Sequence, residues 1–147
     1  MVPTNIDIDS LTEKIIGSAI EVHREMGPGL LESLYRECLI YELALRNIRA
    51  VSGRRLTIHY KDQLVAGHLE LDLLVEDCVV VELKAVESIH PVHLAQVISY
   101  LKLTGCPTGL LMNFNAPTLR GGLRRLDHPS LYEKKKPKNP GGHEGVG

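Results

Sequence analysis

Leu69-Glu-Leu-Asp-Leu-Leu-Val-Glu-Asp-Cys-Val-Val-Val-Glu-Leu-Lys84 reads as two strands joined by a short acidic connection. Alternate side chains of a strand leave opposite faces, so Glu82 and Lys84 share one face of the second segment while Val81, Leu83 and Ala85 share the other. The Val79-Val80-Val81 centre is apolar on both faces, which suits an interior strand covered on both sides. A carboxylate on such a strand needs a partner or a metal. On the first segment His68, Glu70 and Asp72 share a face by the same alternation.

The connection decides whether the two acids meet. A two-residue Glu76-Asp77 turn pairs Val75 with Cys78 and therefore Asp72 with Val81, which sends Asp72 and Glu82 to opposite faces. A three-residue connection, or one bulged residue, sets Asp72 opposite Glu82. The expected structure has that irregularity. Asp72 and Glu82 then form a pair of hard oxygen ligands with Lys84 beside them, the arrangement that Mg²⁺ on a phosphodiester requires.

Outward from this hairpin the periodicity is mostly helical. Ser10-Leu-Thr-Glu13 fits a capping box, and Leu11, Ile15, Ala19, Ile20, His23 and Met26 follow at three- and four-residue spacing until Gly27-Pro28-Gly29. A second helix is expected from Leu30 to Arg46, with Leu34, Cys38 and Leu45 along one side and Asn47 as its C-terminal cap. The period then falls to 2 from Arg54 to Tyr60. Lys61-Asp62-Gln63 supplies a turn before the run from Leu64 to Val75, and a third strand spans Cys78 to Val86. Pro91 and Gly105 bracket a third helix whose Leu94, Ala95, Val97, Ile98 and Leu101 form a broad stripe. A fourth strand runs from Thr108 to Phe114, and the basic segment from Leu119 to Leu126 fits neither class because Gly121-Gly122 breaks it. Helix, helix, three-strand meander, helix, strand makes an α/β sandwich.

A chain of 147 residues has the size of one domain. Its 44% hydrophobic and 24% charged residues are those of a globular protein, and no apolar run approaches the roughly 18 residues that cross a bilayer. No membrane partner is expected. The N-terminus has no basic segment leading into an apolar one, which sets the cytoplasm as the expected location. Cys38, Cys78 and Cys106 have the spacing of neither a disulfide framework nor a zinc site. The net charge of -1 conceals an asymmetry: residues 101 to 147 hold 8 Lys and Arg against 3 Asp and Glu. Residues 133 to 147, rich in Lys, Gly and Pro, read as a disordered basic tail following a single domain of residues 1 to 132. A phosphate-binding loop, a dinucleotide fingerprint and a Gly-x-Ser-x-Gly elbow are all missing from the sequence, which excludes the enzymes built on them.

Asp72 followed ten residues later by Glu82-Leu83-Lys84 resembles the signature of the PD-(D/E)XK nuclease superfamily, and the order of elements is similar to its core. Gly29-Leu-Leu-Glu32-Ser-Leu-Tyr35 looks like the motif that names the GxxExxY family within it. The resemblance covers Leu11 to Phe114, with Leu71 standing where the superfamily name has Pro. It implies a restriction-endonuclease-like sandwich, a mixed sheet flanked by helices, and a Mg²⁺- or Mn²⁺-dependent nuclease acting on nucleic acid, DNA ahead of RNA. In that reading Asp72, Glu82, Glu32 and the Leu83 carbonyl hold the cation. Lys84 orients water or steadies charge. Gln96 and Tyr100 resemble the Gln-x-x-x-Tyr of RecB-type nucleases and border the substrate together with Tyr35. A homodimer is compatible with this reading. The other reading is a catalytically silent nuclease fold that binds nucleic acid or a protein partner, supported by a single Phe and no Trp for gripping bases.

Overall fold

The computed structural model describes residues 5–65 and 69–135. Helices α1 (Ile8–Met26) and α2 (Glu32–Leu45) precede strands β1 (Ala50–Leu56), β2 (His59–Tyr60), β3 (Gln63–Leu64), β4 (Leu69–Val75) and β5 (Val79–Lys84). Helix α3 (Pro91–Thr104), strands β6 (Thr108–Asn113) and β7 (Leu123–Asp127), and helix α4 (Pro129–Lys135) follow. The main sheet has the order β1-β4-β5-β6-β7, in which only β5 and β6 are parallel, while β2 and β3 make a separate hairpin. Among the described residues no helix is long and apolar enough to cross a membrane.

The sheet separates two cores. Ile15, Tyr35 and Leu39 from α1 and α2 pack on Val79, Val81, Leu83 and Met112; Val97, Tyr100 and Leu101 from α3 pack on Val80 and Leu111. β5 and β6 are buried almost throughout, as the valine run requires. This is the expected mixed sheet flanked by helices.

Several boundaries move for local reasons. Helix α1 begins three residues before the capping box, because Asp7 accepts from the amides of Asp9 and Ser10 and takes the N-cap. The first strand starts at Ala50 and leaves the sheet after Leu56. Period-2 alternation continues through the β2–β3 hairpin, so the period alone cannot mark that exit. The basic segment after Leu119 becomes a 3-10 turn and then edge strand β7. A Cβ at Gly122 would lie 2.5 Å from the Asn113 carbonyl oxygen, so a glycine is needed for the turn to fold back on β6. Helix α4 extends to Lys135, inside the segment expected to be disordered from residue 133; the rest of that tail lies outside the described residues.

The largest difference is the orientation of α2. Tyr35, Leu39 and Leu43 are its buried side, and of the expected stripe Leu34 and Leu45 are exposed while Cys38 is half-buried against the α1–α2 core. Helix α2 carries two apolar stripes, and packing against α1 and the sheet selects one.

Candidate active site

The connection between β4 and β5 has three residues, Glu76 to Cys78, so Val75 opposes Val79 and Leu73 opposes Val81. Glu76 and Asp77 take the left-handed φ values of 51° and 55°, and the Cys78 amide closes the turn on the Val75 carbonyl. This register sets Asp72 against Glu82.

There the ladder stops. Toward its N-terminal end β4 remains paired only with β1, through Leu71↔Arg54, Glu70↔Arg55 and Leu69↔Leu56. β5 continues on β6 through Glu82↔Leu111, Leu83↔Met112 and Lys84↔Asn113. The sheet forks at Asp72 and Glu82, and the two carboxylates replace the missing backbone bonds. The Asp72 amide donates to Glu82 Oε1 at 3.1 Å, and the Leu83 amide donates to Asp72 Oδ2 at 2.9 Å. Each acid is thereby held by the other's strand.

The fork coincides with an inversion of faces. Leu73 and Val75 belong to the α1–α2 core, whereas Leu69 and Leu71 belong to the α3 core. β1 inverts in step, from Ala50 on one side to Leu56 on the other, across Gly53 at φ 71°, a conformation that an L side chain resists.

Glu82 is 3% exposed. Burial first, and the Asp72 charge second, push its carboxyl up to about 8, against the pull of the Asp72 amide and Lys84. Across from it on α3, the buried Tyr100 hydroxyl is raised by burial and by Glu82, and lowered by a hydrogen bond with the Gln96 side chain. Gln96 and the half-buried Lys84 line one open groove with His93 and Ser99. From the other side, Arg36 Nη1 on α2 lies 3.7 Å from Asp72 Oδ1. One turn before it Glu32 accepts from the Ala85 amide, Oε2 to N 3.3 Å.

Asp72, Glu82, Lys84, Gln96 and Tyr100 are thus brought together. Glu32 comes to the edge of the fork but spends its carboxylate on the backbone after Lys84. Among the described residues no three His, Cys, Asp or Glu side chains are grouped to hold a metal. Tyr35 does not reach the groove. It is wholly buried, its ring stacks on Phe114 at 4.6 Å, and its hydroxyl donates to the Gly27 carbonyl while accepting from the Leu30 amide. Its part is to clasp the α1–α2 turn. His68 lies outside the described residues.

Two residues escaped the sequence reading. Arg36 stands four residues after Glu32 and so on the same side of α2, a spacing that could have exposed it. Asn113 ends a wholly buried strand, and a polar side chain directly after the apolar Leu110-Leu111-Met112 run was the available signal. Its Oδ1 accepts from the Val86 and Asn115 amides and its Nδ2 donates to the Val86 carbonyl, fixing the chain just beyond Lys84.

The donor set suits a hard divalent cation. Two carboxylates share a fork in which Asp72 holds Glu82 toward its protonated form, a conflict that a bound cation relieves. The N–H and C=O of one strand residue leave by the same edge, so the Leu83 carbonyl faces the fork as its amide does. Two carboxylate oxygens, one carbonyl and waters make an ordinary Mg²⁺ or Mn²⁺ environment.

The family model of the PD-(D/E)XK nuclease superfamily matches residues 9–126, a span that contains every residue of the fork. Neither the curated proteins nor the solved structures include a significant match to the chain.

Proposed function

The chain belongs to the PD-(D/E)XK nuclease superfamily, and we propose on that footing that it is a metal-dependent nuclease working at the β4–β5 fork. The observation that carries the reading is the interlock of Asp72 and Glu82 across the fork with Lys84 on the same strand as Glu82. Asp72, Glu82 and the Leu83 carbonyl would hold one Mg²⁺ or Mn²⁺, whose contribution when bound is to offset charge at the scissile phosphate.

The protein's own groups supply the rest. Lys84 presents its ammonium at the groove and orients the attacking water or the phosphate oxygen. Gln96 steadies the Tyr100 hydroxyl beside the carboxylates, and both border the strand being cut. Arg36, 3.7 Å from Asp72, offsets its charge until a cation binds, and Glu32 acts as a positioning residue by fixing the Ala85 amide. The GxxExxY assignment within the superfamily belongs to the same reading. Gly29 takes a φ of 103° in the turn, Glu32 anchors the backbone beside Lys84, and Tyr35 clasps the turn from below.

The test is a cleavage screen of single-stranded and duplex DNA and RNA with Mg²⁺ or Mn²⁺. Product is expected that disappears in EDTA and in Lys84→Ala. Failure on every substrate would leave a nuclease fold that binds without turnover.

A further inference from the structure

The outward stripe of α2 has the spacing of a helix-pairing seam. Leu34, Cys38, Tyr41 and Leu45 recur at intervals of four, three and four, the a/d rhythm that keeps one side of a helix facing a partner helix. Leu34, Tyr41 and Leu45 are 41%, 68% and 61% exposed, an apolar load that the fold leaves in water although α2 has already buried Tyr35, Leu39 and Leu43. Beside it, Val22 and Met26 of α1 complete the floor of an open groove along both helices. The rim is acidic. Glu21 and Glu25 stand on the α1 side, and Glu37 and Glu42 flank the stripe on α2. Arg24 pairs with Glu21 and Arg46 with Glu42, while Glu25 and Glu37 are exposed and have no ion-pair partner among the described residues.

We propose that this α1–α2 groove is a docking site for an amphipathic helix of a partner protein with apolar a and d positions and Lys or Arg flanking them. Charge complementarity selects this occupant. A second copy pairing face to face would bring glutamate rims together, which repels. The chain's own basic tail has Val146 as its one aliphatic residue after Tyr132, and cannot fill an apolar floor. A basic amphipathic helix satisfies floor and rim at once, and the 14-residue α2 offers it about 21 Å of track, close to four turns. At 100° per residue the stripe lies on the side of α2 roughly opposite Glu32 and Arg36, so an occupied groove leaves the fork open. The site is therefore independent of the nuclease reading.

The probe is a labelled 21-residue helical peptide with Leu at a and d and Lys at e and g, compared with its Glu-flanked counterpart, by fluorescence anisotropy against the full chain. The Lys peptide should bind and the Glu peptide should not. Tyr41→Ala should weaken binding about tenfold by removing a central aromatic anchor. The pair Glu25→Lys and Glu37→Lys should weaken the Lys peptide about tenfold and admit the Glu peptide. All three positions are exposed, and circular dichroism melts confirm that the variants fold. Equal binding of the two peptides, or binding of neither, overturns the proposal. So does sedimentation as a dimer that Tyr41→Glu dissociates, which would assign the face to self-association.

Discussion

Glu82→Gln separates the electrostatics of the fork from its geometry. Gln keeps an oxygen that can accept the Asp72 amide, now 3.1 Å from Glu82 Oε1, and removes the charge that burial and Asp72 oppose. A carboxyl whose folded pKa is raised holds a proton in the folded state that the unfolded chain has already released. Its contribution is fully present below about 4.5 and is lost as pH rises toward about 8. By pH 7 the buried proton has been retained about 2.5 pH units beyond the unfolded value, and at about 1.4 kcal/mol per unit the ceiling is about 3 kcal/mol. For a domain of this size that is roughly 10 °C of melting temperature. The assay is a thermal melt in EDTA from pH 5 to pH 8. The wild type should lose stability across this window and Glu82→Gln should not, so that the variant is the more stable at pH 8. Mn²⁺ should reverse the ranking. A hundredfold excess over Kd adds about 2.7 kcal/mol to a protein that binds the ion only when folded, and the variant has lost a ligand. Parallel pH profiles for the two proteins in EDTA would refute the argument from burial and like charge.

Lys84→Ala should leave the melting temperature within a degree or two, since the side chain is half-buried at the groove, and should lower cleavage by about a hundredfold or more in a gel assay. Arg36→Gln removes the cation 3.7 Å from Asp72, so Mn²⁺ should bind about threefold to fivefold more tightly by calorimetry; weaker binding would show that Arg36 organises the site instead of competing for it. Tyr35→Phe deletes the hydroxyl that joins Gly27 to Leu30 and should cost about 1–2 kcal/mol in a urea melt, with Mn²⁺ affinity unchanged.

Much of the architecture was legible because its signals are local. Pro91 and Gly105 delimit α3 as read, since a fixed φ suits a first helical turn and a left-handed residue suits a C-cap. The valine run placed β5 inside the sheet, and the requirement that Asp72 face Glu82 called for a three-residue connection or a bulge, of which the structure has the former, with left-handed Glu76 and Asp77. Where local signals competed, the reading failed by a few residues, as with Asp7 displacing Ser10 at the start of α1.

Period and turn chemistry are properties of residues a few positions apart, and these the sequence determines unaided. It therefore determines the three long helices, the main strands from β1 to β6 in their order, and Glu82 and Lys84 on one face of an interior strand, while β7, the β2–β3 hairpin and α4 lay beyond it. Tertiary structure alone decides between two apolar stripes on α2, because both have helical spacing and only contact with α1 and the sheet favours Tyr35, Leu39 and Leu43. It alone opens the fork, because the inversion at Gly53 requires β1 and β4 to twist together. And it alone brings Arg36 to Asp72 and Glu32 to the Ala85 amide, 53 residues away, since partners so far apart in the chain meet only after the layers have packed.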